Sequence, residues 1–338
     1  MNDIWTVKRI LDWIEGYLAE KGIENPRLSA QWLVSDALGC SRLELYTDLE
    51  RPLTDVERDV LRGYTKRRGE GEPLQYITGK TDFRFVSLHI EPGVLIPRPE
   101  TEVLVSEALT ALKEALQEDD EAPAGGALFE GAESPASEES LDGVEGLAEN
   151  ALSEDAPVEV VVEPEIPEIR VVDLCTGSGN IACSIAHELP HARVYATDIS
   201  PTACALAARN AEALGLTERV HVFEGDLEQA LPSELKHKVH LLISNPPYIP
   251  SAVLSSLDAE VTEFEPALAL DGGADGLDVF RRILLVADEY LCEGGVLALE
   301  LFEEHLDSAA RLAQESGFKG VRTAFDLAGK PRILVAYK

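Results

Sequence analysis

Residues 169–180 read IRVVDLCTGSGN, and their reading decides the architecture of the chain. Ile169, Val171, Val172 and Leu174 make a nearly continuous apolar run of strand length, which suits a parallel strand covered on both faces. The run ends at Asp173-Leu174, and Cys175-Thr176-Gly177-Ser178-Gly179-Asn180 leads into an apolar helical stretch at 181–189. Glycines in such a loop let the backbone turn tightly and approach a ligand at a helix N-terminus.

Downstream of this unit, apolar strands at 193–198, 220–225, 239–245, 295–301 and 332–337 alternate with helical patterns such as 203–214 and 279–291. Alternation of this kind implies a doubly wound, mostly parallel α/β sheet, which binds ligands at the carboxyl ends of its strands. Those ends carry informative residues. Gly-x-Gly alone also serves dinucleotide enzymes, but the carboxylate of Asp173 opposes a pyrophosphate and suits a ligand with an ammonium group. Asp198 ends the second strand, where an acid accepts ribose hydroxyls or, equally, caps the helix after Ile199-Ser200-Pro201. At the third end, Asp226 is placed to accept from an adenine amine and Leu227 to cover the ring. S-adenosylmethionine has a ribose, an adenine and an ammonium group, and no phosphate.

The fourth strand runs into Asn245-Pro246-Pro247-Tyr248 within LLISNPPYIP. Two prolines end the strand, because neither donates to a ladder. The Asn245 side-chain carbonyl and the Pro246 backbone carbonyl are two acceptors without a competing N–H, suited to a substrate NH₂ group. Tyr248 offers a face on which a planar amide or base stacks. Methylation of an amide or exocyclic amine needs that geometry, since the nitrogen lone pair must be turned toward the electrophile. Glutamine and adenine both present such a group.

Two other acids need weighing. His187-Glu188-Leu189-Pro190-His191 matches the H-E-x-x-H zinc signature, but Pro190 should end the helix that the two histidines would have to share. Glu300, at the end of the fifth strand, reads as a surface carboxylate before a general base.

Residues 1–72 read as a small helical bundle, with Ile4, Val7, Leu11, Ile14 and Leu18 at helical spacing, a second helix from Pro26 and a capping box at Thr54–Glu57. Residues 73–97 read as a linking hairpin around the Pro92-Gly93 turn, and a helix starts in PRPETE at 97–102. The catalytic unit is then 98–338, interrupted at about 117–168 by a Gly-, Ala-, Ser- and Pro-rich insert whose composition predicts disorder. Positions 118–168 hold 17 acidic residues and no Lys or Arg, about half of the net charge of -33. A chain this acidic is a poor nucleic-acid binder. Its five scattered cysteines fit a reducing cytosol without a disulfide framework or zinc site, and no apolar run reaches membrane length. A cytoplasmic protein without a metal follows as the expectation.

The chain resembles the protein-(glutamine-N5) methyltransferase family. The matching pieces are Glu72-Pro73-Leu74-Gln75-Tyr76-Ile77 with Gly79, PRPETE at 97–102, DLCTGSGN at 173–180 and NPPYIP at 245–250. Phe264-Glu265-Pro266, Ala269-Leu270-Asp271-Gly272-Gly273, Asp275-Gly276-Leu277-Asp278 and Gly329-Lys330-Pro331-Arg332 match as well. The resemblance implies a seven-stranded, Rossmann-like S-adenosylmethionine-dependent sheet whose last strand is antiparallel. It implies cofactor contacts from Cys175, Thr176, Gly177, Ser178, Gly179, Asp198, Leu227 and Asn245, and a substrate glutamine held by Asn245, Pro246, Pro247 and Tyr248. Asn245, Pro246 and Tyr248 would carry catalysis, with PRPETE walling the pocket. The implied substrate is the Gly-Gly-Gln glutamine of class 1 translation release factors, engaged in part by the helical domain, with the enzyme a monomer. Three departures stand out: Cys175 replaces the usual Gly, Phe302 and His305 replace Gly and Gln after Glu300, and the resemblance offers no role for the acidic insert.

These readings predict direct methyl transfer to a glutamine amide nitrogen. The competing readings are an adenine-N6 nucleic-acid methyltransferase built on the same tetrapeptide, methylation of a ribosomal-protein glutamine, and a cofactor-binding module without catalysis.

Overall fold

The computed structural model describes residues 4–120 and 167–338. The chain opens with four helices, α1 (Val7–Glu20), α2 (Pro26–Leu38), α3 (Asp55–Gly69) and the short α4 (Leu74–Thr78). Ile14, Leu18, Leu33, Val34 and Leu61 form their shared core. The first helix starts later than its apolar spacing suggests: Thr6 caps it, and Ile4 is left exposed. Pro26 opens α2 and a left-handed Gly39 closes it, while Thr54 and Glu57 form the expected capping box on α3.

A hairpin follows, β1 (Lys80–Phe83) and β2 (Val86–His89), then the long α5 (Pro99–Asp120). The hairpin turns at Arg84-Phe85 and not at Pro92-Gly93, because Phe83 pairs with Val86. Arg84 takes a left-handed φ of 51°. Its guanidinium is held by the Glu102 carbonyl, Ser106 and both oxygens of Glu188, which offsets that strain. The same contact explains why H-E-x-x-H is not a metal motif. Helix α6 (Asn180–Glu188) ends before Pro190, and Glu188 is tied to Arg84 at 2.6 and 2.7 Å. Helix α5 also corrects the edge of the acidic insert. Ala115 and Leu116 still pack on the core, so the helix continues to Asp120, past the expected boundary at 117. At the other end Glu168 pairs with Arg170 and Arg193. The rest of the predicted disordered stretch lies outside the described residues.

The main sheet contains β3 (Ile169–Leu174), β4 (Ala192–Asp198), β5 (Val220–Glu224), β6 (Val239–Ser244), β7 (Leu291–Glu300), β8 (Lys319–Phe325) and β9 (Pro331–Tyr337). Their spatial order is β5-β4-β3-β6-β7-β9-β8, with β9 antiparallel to its neighbours and the other pairs parallel. Strand β8 is absent from the sequence reading because it is an edge strand with little apolar alternation, bearing Lys319, Gly320, Arg322 and Thr323.

Alternate residues along the central strands feed two cores. Val171, Leu241 and Ile243 face α5 and α6, while Val172, Leu174 and Leu242 face α9 (Asp278–Tyr290) and α10 (Leu306–Glu315). With α7 (Pro201–Ala213) between β4 and β5, the layers leave one crevice at the carboxyl ends of β3 and β6, where the winding reverses. The segment between β6 and α9, containing the short α8 (Ala259–Phe264), lies over one end of that crevice.

Candidate active site

The loop after β3 folds around three left-handed residues, Cys175 (φ 59°), Gly177 (φ 57°) and Gly179 (φ 79°). Cys175 therefore keeps the backbone that a glycine would supply, and the turn does not shift to accommodate it. A Cβ in this region costs roughly 1–2 kcal/mol, part of which the looser unfolded chain of a glycine variant would cancel. Cys175→Gly should accordingly raise stability by about 0.5–1 kcal/mol, read as a higher urea midpoint at unchanged slope. No gain would mean that the thiol's contacts offset the strain.

Cys175, Thr176, Gly177 and Ser178 line a cavity of about 230 Å³, together with Asp198, Asp226, Leu227 and Asn245. Gly179 does not line it. A Cβ there would stand 3.0 Å from Ala207 Cβ, so this glycine serves the contact between α6 and α7 as well as the turn. Asp198 accepts from the Gly177 N–H and the Ser200 N–H, each at 2.9 Å. Burial raises its pKa while those backbone donors pull it down. The helix cap is Ser200, whose hydroxyl accepts from Ala203 N–H, so Asp198 is not needed in that role. Asp226 is bound at 2.8 Å by Arg282, a cavity residue that sequence reading missed.

Asp173 is the clearest correction in this loop. It is fully buried and absent from the cavity wall, and it accepts from the Thr176 hydroxyl at 2.6 Å. Its bond to Thr176 braces the loop, and its side chain stands behind the cavity wall, whereas the sequence places it on the surface of the site. Burial pushes its pKa up from 3.8 to about 7. Between those values the folded chain keeps a proton that the unfolded chain gives up, so this group's contribution to stability falls as pH rises. The melting temperature of wild type minus that of Asp173→Asn should shrink from pH 4 to pH 7; a constant difference would place the titration elsewhere.

A second cavity, of about 160 Å³, adjoins the first and is lined by Leu95, Arg98, Asn245, Tyr248, Leu257 and Val261 among others. Asn245 lines both, Pro247 only the first and Tyr248 only the second. Pro246 is buried and lines neither, and no donor among the described residues bonds its carbonyl. The Asn245 amine donates to the Thr101 hydroxyl at 3.0 Å. Thr101 donates to Glu300 Oε2 at 2.7 Å, and Tyr248 donates to Glu300 Oε1 at 2.9 Å.

Glu300 is thus no surface carboxylate. It is 1 % exposed, and burial raises its pKa against the pull of the two hydroxyls. Burial, with the nearby Glu300, also holds the Tyr248 phenol well above its ordinary pKa, so it stays a donor. Arg98 of PRPETE binds both oxygens of Glu265 at 2.6 and 2.8 Å, a contact between residues 167 apart in sequence. Phe302 and His305 line neither cavity; their rings lie 5.4 Å apart, and His305 fills the space beside Gly276. Among the described residues no group of three His, Cys, Asp or Glu could hold a metal, and no helix is long and apolar enough to cross a membrane.

The larger cavity can be tested for its fit to S-adenosylmethionine. Its charged lining is Asp198, Asp226 and Asp271 against Arg98 and Arg282, and both arginines are already ion-paired, with Glu265 and Asp226. Such a wall suits a nucleoside carrying positive charge and offers a phosphate no free cation. The residues fit.

The seven-stranded sheet with one antiparallel strand, the glycine loop and the acidic strand ends define the S-adenosylmethionine-dependent methyltransferase class. A methyltransferase small domain matches residues 158–260, and a PrmC N-terminal domain matches residues 9–79. The release factor glutamine methyltransferase of Geobacter sulfurreducens is 40% identical over 332 residues, covering 98% of this chain and 96% of that protein. Those of Rhodopirellula baltica and Moorella thermoacetica are 34% and 36% identical, each over at least 97% of both chains. The chain belongs to the release factor glutamine methyltransferase family.

Proposed function

We propose that this enzyme methylates the side-chain nitrogen (N5) of the glutamine in the Gly-Gly-Gln motif of class 1 translation release factors. The observation that carries the reading is Asn245, whose side-chain amide lies where the acidic cavity meets the smaller, more apolar one, beside Leu95, Arg98 and Ala269, which also line both. The first cavity suits the cofactor, with Asp198 accepting the ribose hydroxyls and Leu227 covering the adenine. The second suits a planar side chain on Tyr248. Bound S-adenosylmethionine supplies a sulfonium methyl group, and the protein's own residues do the rest.

Asn245 Oδ1 accepts one amide N–H, and the Pro246 backbone carbonyl, bonded by no donor among the described residues although Pro246 lines neither cavity, accepts the other, which turns the nitrogen lone pair toward the first cavity. As the nitrogen becomes positive, those fixed acceptors stabilise it without reorganising. Leu257, Val261 and Leu270 keep water from the amide. Both oxygens of Glu300 are occupied by hydroxyl donors, so it is not assigned as the base; the N-methylated amide, a strong acid while it carries the extra proton, gives that proton to solvent water after transfer.

In this reading residues 1–72 recognise the release factor, 73–97 link, and 98–338 catalyse. Support comes from Arg68 of α3, which pairs with Glu260 of α8 at 3.0 Å, beside the second cavity. The bundle therefore reaches the segment that covers the substrate side. Mass spectrometry of a release factor incubated with enzyme and cofactor tests the proposal. One added methyl on the Gly-Gly-Gln peptide is expected, and an unmodified peptide would reject it.

A further inference from the structure

We propose that Thr101 and Glu300 are positioning residues that fix which end of the Asn245 amide faces the substrate. The inference rests on the function proposed above. An asparagine amide is nearly symmetric in shape, with a donor on one side and an acceptor on the other. Only the acceptor can hold a substrate NH₂ group. Turned the other way, Asn245 would set its own amine against that of the substrate. Something in the fold has to choose.

The choice follows from hydrogen-bond polarity. Glu300 is met by one hydroxyl on each oxygen, the arrangement of a two-sided acceptor, and a carboxylate has no proton to give, so each hydroxyl is the donor. Thr101 spends its one hydrogen on Glu300 Oε2 at 2.7 Å, and Tyr248 spends its own on Oε1 at 2.9 Å. Thr101 Oγ1 then has only lone pairs left for Asn245, 3.0 Å away, and can bond only the amine. The Asn245 carbonyl is left for the substrate. Thr101 and Glu300 are each 1 % exposed, so water is poorly placed to replace either partner. The carboxylate thereby sets two substrate-facing groups together, the Asn245 amide and the Tyr248 ring.

The test uses the full-length enzyme, a release factor and labelled cofactor. Thr101→Val keeps the shape of the side chain and removes the hydroxyl. It should lower kcat by about 10²-fold, the scale of loss for a misplaced catalytic group, and by more than it raises KM for the cofactor, whose cavity Thr101 also lines. Thr101→Ser restores the hydroxyl and should recover most of the rate. Glu300→Gln no longer dictates the direction of the Thr101 bond, so its kcat should fall between wild type and Thr101→Val.

Thr101→Val added to Asn245→Ala should cost nothing more, since the first acts only through the second. A wild-type kcat in Thr101→Val, or failure of Thr101→Ser to recover it, would overturn the proposal. So would an undiminished kcat in Glu300→Gln, or losses that multiply fully in the double variant. Failure of wild type itself to label the release factor would instead reject the underlying reading.

Discussion

Asn245→Ala should cut turnover by about 10²–10³-fold, the usual cost of removing a preorganised polar partner of the transition state. The residue lines both cavities, and in the proposed mechanism its carbonyl accepts from the amide nitrogen that takes the methyl group. Cofactor affinity should change far less, because Asp198, Leu227 and the 175–178 loop remain in the cavity wall. Single-turnover rates and isothermal titration of cofactor separate the two effects. Near-normal turnover in Asn245→Ala would sink the acceptor mechanism, and a parallel collapse of cofactor affinity would make Asn245 a cofactor ligand first.

Asp198→Ala should act the opposite way, weakening cofactor binding by roughly 10–100-fold, the scale of one or two hydrogen bonds to a charged group. The ribose is held alike in ground and transition states, so the loss belongs in KM for the cofactor more than in kcat. The carboxylate has a structural part too, since it accepts from the Gly177 and Ser200 N–H groups. Asp198→Asn is the useful companion: it keeps one carbonyl acceptor for the loop and removes the charge. Unchanged cofactor affinity in both variants would leave Asp198 with only its backbone role.

Much of this site was legible because its parts are local. The β3 strand, its turn and the following helix occupy one contiguous stretch, and glycine at 177 and 179 states the left-handed turn directly. The fourth strand end was equally readable, since two prolines stop a strand wherever they stand. What stayed hidden depends on side chains distant in sequence. Thr101 reaches Asn245 across 144 positions and Glu300 across 199, and no local pattern encodes that meeting.

Glu300 was misjudged because an acid at a strand end is usually solvated, whereas here α5 brings a hydroxyl over it. Asp173 was misjudged in the other direction, as a ligand-facing charge, because strand register places it in the core. The hairpin turn was set by Arg84, whose left-handed backbone is stabilised by Glu188, over a hundred residues away.

Substrate choice is the central claim, and the tetrapeptide cannot make it alone, because glutamine and adenine both present a planar NH₂ group. The surroundings favour protein. A nucleic-acid enzyme must neutralise phosphates and extrude a base, whereas this chain carries a net charge of -33. The decisive measurement is methyl transfer from labelled S-adenosylmethionine to four acceptors side by side at low salt: a release factor, the same factor with its Gly-Gly-Gln glutamine changed to Ala, duplex DNA and single-stranded nucleic acid. Label on the first acceptor alone is the predicted result. Label on adenine, with none on the release factor, would contradict it.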